Sequence, residues 1–154
     1  MSSYDRAAAY RSARERITSL LRSVGPASVA DRVVPATPAW RVHDLVAHLR
    51  GVVEDAAQGN LQGAPGDVWT AAQVERGRSK SMELLLEEWD DDSGVVEEAL
   101  RSGSGGMLVP LLMDIHVHEQ DLRGALEAPG HRSGSFYDWA VPLLASGFRS
   151  KVMM

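Results

Sequence analysis

Apolar residues along this chain recur at steps of three and four, with polar residues filling the gaps, so it reads as a series of amphipathic helices. Tyr10, Ala13, Ile17, Leu20, Leu21 and Val24 trace one stripe and predict a helix over 4–24, with Arg11, Arg14, Glu15, Arg16 and Arg22 mostly on the other side. Gly25-Pro26 stops it, and Pro35 and Pro38 keep the following loop extended. Val42, Leu45, Val46, Leu49, Val52 and Val53 give a second helix over 41–58, and 59–66 is a loop. A third helical region starts near Asp67, a candidate N-cap, breaks around Gly77 and resumes over 79–89. Asp90-Asp91-Asp92-Ser93-Gly94 reads as a solvated break before a short helix at 95–101, and Ser102-Gly103-Ser104-Gly105-Gly106 as the most flexible stretch. A helix over 107–126 holds Pro110 in its first turn, where a missing N–H costs little. The last helix begins near Ser135, and Pro142 should bend or shorten it. No run alternates with the period of a strand, and there is no internal repeat.

Several helices of this length with short connections predict an all-α fold, an antiparallel four-helix bundle with short extra helices, forming one domain over 1–154. A chain of 154 residues buries enough surface to need no covalent staples. Its net charge of -5 argues against a nucleic-acid partner, which needs a clustered basic face. No apolar run approaches the ~18 residues of a membrane span. The polar start Met1-Ser2-Ser3-Tyr4-Asp5-Arg6 lacks the apolar centre of a signal peptide, which makes the cytoplasm the expected location. There is no cysteine, so a metal must be held by His, Asp or Glu, and a thiol nucleophile must come from another molecule. The glycines at 103–106 lack the Lys-Ser/Thr of a phosphate loop and do not follow a strand.

Helical phase sorts the histidines. At 100° per residue, His48 falls on the buried stripe with Leu45, Leu49 and Val52, whereas His43 lies about 140° away and should be exposed. His118 shares a face with Met107, Leu111, Asp114, Leu122 and Ala125, with Asp121 flanking it; His116 points about 160° away and should be on the surface. His131 follows Pro129-Gly130 in a loop. Asp114 and His118, four apart, can chelate one ion. Inward acids and imidazoles among Leu and Met are costly unless compensated, and a divalent cation compensates them. With His48 from a neighbouring helix the set is two His and one Asp, leaving positions open as in a catalytic site. The alternative is that Asp114 and His118 pair with each other and His48 is a hydrogen-bonded core histidine.

The segment Thr37-Pro38-Ala39-Trp40-Arg41-Val42-His43-Asp44-Leu45-Val46-Ala47-His48-Leu49 resembles the TPxWxVxDLxxHL segment of mycothiol-dependent maleylpyruvate isomerase-like proteins, part of the DinB-like superfamily. Trp69-Thr70-Ala71-Ala72-Gln73-Val74 and Leu84-Leu85-Leu86-Glu87-Glu88-Trp89 resemble its central helices, and Asp114 to Arg123 its ExxxHxxDLR segment. The resemblance implies a four-helix bundle whose His, Glu, His metal triad falls here on His48, Asp114 and His118. Asp121 would orient a ligand imidazole through its ring N–H. It further implies a divalent metal, zinc first and nickel second, with mycothiol as thiol cosubstrate and a small electrophile as substrate. The activity would be that of a thiol-dependent transferase or isomerase; the other reading is a non-enzymatic ligand-binding or dimerising bundle, open to homodimer formation, with a degenerate site. Asp114 replaces the family's usual Glu and is one methylene shorter, so its helix must come closer or reach the ion through water. The isomerase type also carries a C-terminal domain, so this chain reads either as a stand-alone bundle or as the metal-binding domain of a longer protein.

Overall fold

The computed structural model describes residues 4–103 and 108–152. Met107, the expected first residue of its helix, and residues 104–106 of the expected flexible stretch lie outside them. The elements in chain order are α1 (Arg6–Val24), α2 (Pro26–Val29), β1 (Val33–Val34), β2 (Thr37–Arg41), α3 (Val42–Gln58), α4 (Asp67–Gly77), α5 (Met82–Asp92), α6 (Gly94–Ser102), α7 (Leu108–Ala125) and α8 (Ser135–Val152). The fold is all-α, with α1, α3, the α5–α6 arm and α7 as the bundle and a two-stranded hairpin at its side.

The expected stripes form the core. Tyr10, Ala13, Ile17 and Leu21 of α1 are buried against Leu45, Val46, Leu49 and Val53 of α3, Leu85, Leu86 and Trp89 of α5, and Leu112, Ile115 and Leu122 of α7. The Trp89 indole N–H donates to the Tyr10 hydroxyl at 3.0 Å, so the polar ends of both rings are satisfied inside. Helix α3 is buried nearly all round, because α4, α5, α6 and α7 all pack on it. Two glycines bring α4 close. A Cβ at Gly51 would lie 2.5 Å from the Gln73 Cβ, and one at Gly77 would lie 2.5 Å from the Ala47 Cβ.

Local chemistry sets the boundaries. Asp5 caps α1 by accepting from the Ala8 amide, and Ser81 caps α5 by accepting from Leu84. The capping carboxylate of α3 is Asp44, which accepts from the Arg41 amide, while the Val42 and His43 amides donate to the Arg32 and Ala30 carbonyls. Helix α3 ends at Gly59, whose φ of +71° suits a residue without Cβ. Asp67 is the first residue of α4, not its cap, which is Gly66.

The absence of strands was an incorrect expectation: Val33 pairs with Arg41 and Val34 with Thr37. β1 has two residues, and β2 does not alternate in burial, so neither carries a period that could be read. Asp90, Asp91 and Asp92 are not a solvated break; they form the last turn of α5, and only Ser93 separates α5 from α6. Carboxylates at a helix C-terminus oppose the helix dipole. Here Arg14 and Arg22 of α1 pair with Asp90, and Arg50 of α3 pairs with Asp92. Pro142 does not shorten α8, which runs to Val152.

Candidate metal centre

Three of the sequence-predicted residues meet. His48 comes from the middle of α3, and Asp114 and His118 from successive turns of α7. One ligand atom from each lies within 4.8 Å of the others. Asp114 Oδ2 is 3.0 Å from His48 Nε2, and Asp114 Oδ1 is 3.3 Å from His118 Nε2. Donors on a tetrahedral zinc at 2.0–2.1 Å stand about 3.4 Å apart, so the shorter Asp reaches both imidazoles.

The hydrogen bonds behind the rings decide where their protons sit. His48 Nδ1 lies 2.7 Å from Gln73 Oε1, and Gln73 Nε2 donates to Asp55 Oδ2 at 2.8 Å. A carboxylate only accepts, so the Gln73 amide must turn its NH₂ to Asp55 and its oxygen to His48. Nδ1 of His48 is therefore the donor to Gln73, and Nε2 is the ring atom that faces Asp114. Asp55 is fixed in turn by the Asn60 side-chain amide and by Arg76, at 2.9 and 2.7 Å. His118 is held in the same way, its Nδ1 donating to Asp121 Oδ2 at 3.0 Å, the contact expected of Asp121.

Both rings thus turn Nε2 toward one carboxylate, and a carboxylate only accepts, so each contact needs either a ring N–H or a cation between the two atoms. Protonating both rings would place two positive charges on imidazoles whose centroids are 5.1 Å apart. One divalent ion satisfies all three donors with both rings neutral, so the donor set fits a metal. The electrostatics agree. Burial alone would raise the Asp114 carboxyl, but hydrogen bonds and charge from His118 and His48 hold it well below the ordinary range. Burial would lower the His118 imidazole, yet Asp114 and then Asp121 lift it above its ordinary value. Both shifts describe a site that attracts positive charge.

The hairpin adds the indole of Trp40, whose ring centroid is 5.4 Å from that of His48 and 5.7 Å from that of His118. Beyond the triad opens a cavity of about 640 Å³ walled by Trp40, Val52, Trp69, Val96 and Leu111. On α7 the deepest stripe is Leu112, Ile115 and Leu122, one step around from the face of Leu111, Asp114 and His118. The ligand face therefore borders the cavity.

Two histidine expectations are corrected. His116 is not on the surface but 4% exposed. Its Nδ1 donates to the Leu112 carbonyl at 2.8 Å, and its ring stacks on Phe136 at 3.5 Å, because α8 folds back over that side of α7. His43 is half-buried, donating through Nε2 to the Lys80 carbonyl at 2.8 Å. His131 is exposed in its loop. Among the described residues, no metal-holding group includes these three.

Sequence reasoning missed Gln73 and Asp55, each 1% exposed. Asp55 was within reach, since it lies seven residues after His48 on the same helical face. Gln73 carried no signal, because its role depends on how closely α4 docks. The buried Glu119 was also missed: it accepts two hydrogen bonds from Arg16, at 2.9 and 2.7 Å, and one from Arg123 at 3.1 Å.

A helical bundle with two imidazoles and a carboxylate converging beside an apolar cavity belongs to the class of bundle proteins built around a candidate metal centre. More narrowly, the chain belongs to the mycothiol maleylpyruvate isomerase N-terminal domain family, whose profile matches residues 10–123, and so to the DinB-like superfamily. No curated protein and no solved structure matches it. Among the described residues, no helix is long and apolar enough to cross a membrane.

Proposed function

We propose that this chain binds a divalent ion, zinc by preference, through His48, Asp114 and His118, and uses an external thiol such as mycothiol to attack a small electrophile. What carries the reading is the fixed orientation of the rings: Gln73 and Asp121 each take an Nδ1–H, so that both Nε2 atoms face Asp114. A divalent ion bound there supplies Lewis acidity, lowering the pKa of a coordinated thiol so that it acts as thiolate at neutral pH.

The chain's own residues prepare that step. His48 and His118 would hold such an ion as uncharged donors and Asp114 as the one anion, leaving a net positive charge to attract an anionic sulfur. Trp40 and the aliphatic walls keep water from the nucleophile and lower the local dielectric. Asp55 and Gln73 keep the His48 ring from turning. The absence of cysteine in the chain accords with a thiol supplied from outside. Transfer of the thiol to the electrophile is the favoured outcome, and isomerisation by addition and release is the variant implied by the family's name.

The test is metal analysis of untagged protein purified without added metal, followed by chelator competition. About one equivalent of zinc is expected in the parent, in line with one three-residue donor set. His48→Ala and Asp114→Ala should lose it while keeping their helical circular dichroism. Full zinc retention by both variants would sink the assignment. Thiol consumption by the loaded protein, with a panel of electrophiles, then tests the chemistry.

A further inference from the structure

We propose that the molecule meeting the thiol at this centre is an uncharged, mainly apolar electrophile and not a dicarboxylate; this rests on the thiol reading above. The cavity beside the triad has a volume of about 640 Å³, within the range of sites that enclose a small organic molecule. Its walls are chemically one-sided. Trp69 lines it with its ring while its indole N–H donates to the Asn60 carbonyl at 2.9 Å, so that group is already satisfied. Thr70 contributes the one side-chain hydroxyl. No Lys or Arg is among the described residues lining the cavity, and Asp114 is the only acid there.

Charge balance sharpens the point. A divalent ion, Asp114 and a thiolate would sum to zero, so the ion itself would leave no net charge for a substrate carboxylate. A dianion would have to leave two carboxylates dehydrated against Leu, Val and Trp, at a cost that buried charges without partners do not recover. A neutral molecule incurs no such cost and gains from covering apolar wall.

The experiment uses fluorescence titration with N-phenyl-1-naphthylamine, a neutral aromatic probe, and maleate as the competing dianion, on zinc-loaded and chelator-stripped protein. The probe should bind both forms with affinities agreeing to about threefold, a difference below 1 kcal/mol, because the walls do not depend on the metal. Maleate should fail to displace it at millimolar concentration. Val52→Trp, which fills the cavity from α3, should weaken probe binding by at least about tenfold and leave zinc content unchanged. Thr70→Arg should create the missing counter-charge and let maleate compete. Displacement of the probe by maleate from the parent protein, or equal probe binding by Val52→Trp, overturns the inference. Zinc content, measured separately, keeps the two readings apart. Zinc without probe binding removes this inference alone, whereas probe binding without zinc removes the thiol reading and leaves the preference for neutral ligands standing.

Discussion

Gln73 illustrates how much a metal-type site depends on atoms that never touch the ion. Its oxygen is the acceptor for the His48 Nδ1–H, and its amide is aligned by Asp55. Gln73→Leu keeps the volume but removes both bonds, leaving His48 free to turn. Divalent-metal affinity should fall by about 10–100-fold, the usual effect of losing such an orienting partner. Chelator competition reads it, and parental affinity in the variant would show that the ring is held by packing alone. A second prediction concerns Glu119. Burial pushes its carboxyl up, but Arg16 first and Arg123 after it outweigh burial and hold it below its ordinary value of 4.5. Its stabilising effect is therefore complete above about pH 4.5 and is lost as pH falls through the lowered folded-state value. Glu119→Gln should be less stable than the parent at pH 7, by up to about 3–5 kcal/mol if the arginines are left without a charge partner. Denaturant titrations of both proteins should show the gap closing in acid. A gap that stayed constant with pH would mean the loss is one of shape.

At the scale of elements, α4 is the addition that turns a bundle into a site. It lies against α3 through two positions where any side chain would collide, Gly51 and Gly77, and it is the helix that carries Gln73. Gly51→Ala should force α4 outward, costing about 1–3 kcal/mol as an overpacked contact does, and should weaken metal binding in the same variant. Combined melts and metal titration test it; a loss of stability with unchanged affinity would separate α4 docking from the site. The sequence made the α3 stripe and the α7 ligand spacing readable because both follow one helical period. It could not reveal α4's approach, because a glycine that permits contact looks the same as one that ends a helix. The hairpin was hidden for a related reason: two residues of β1 are too few to show alternation. His116 misled because its phase was judged from α7 alone, while Phe136 on α8 supplies the cover.

For the molecule as a whole, the arginines of α1 are structural. Arg11 and Arg14 pair with Glu97, Arg14 and Arg22 with Asp90, and Arg16 with Glu119, tying α1 to α5, α6 and α7. The arginines that the sequence places mostly opposite the apolar stripe thus clamp α1 on three neighbours. An ion bound only by the folded chain then adds to this framework by mass action, about 2.7 kcal/mol at a hundredfold excess over the dissociation constant. For a chain of this size that corresponds to roughly 5–10 °C in melting temperature. Scanning calorimetry with and without zinc should show such a shift in the parent and none in Asp114→Ala. Equal shifts in both would mean that zinc acts elsewhere on the chain.

The pair of locked imidazoles has a consequence for spectroscopy. The His48 ring proton lies between two buried polar groups, sheltered from exchange with solvent, so it should persist as a resolved line far downfield of the backbone amides in a proton spectrum. Its nitrogen partner across the ring faces Asp114 and should report the occupant of the centre directly, shifting when an ion arrives and returning when a chelator removes it. A titration followed on those two nuclei would count the binding events at this one residue, with no substrate in the tube and no turnover to measure.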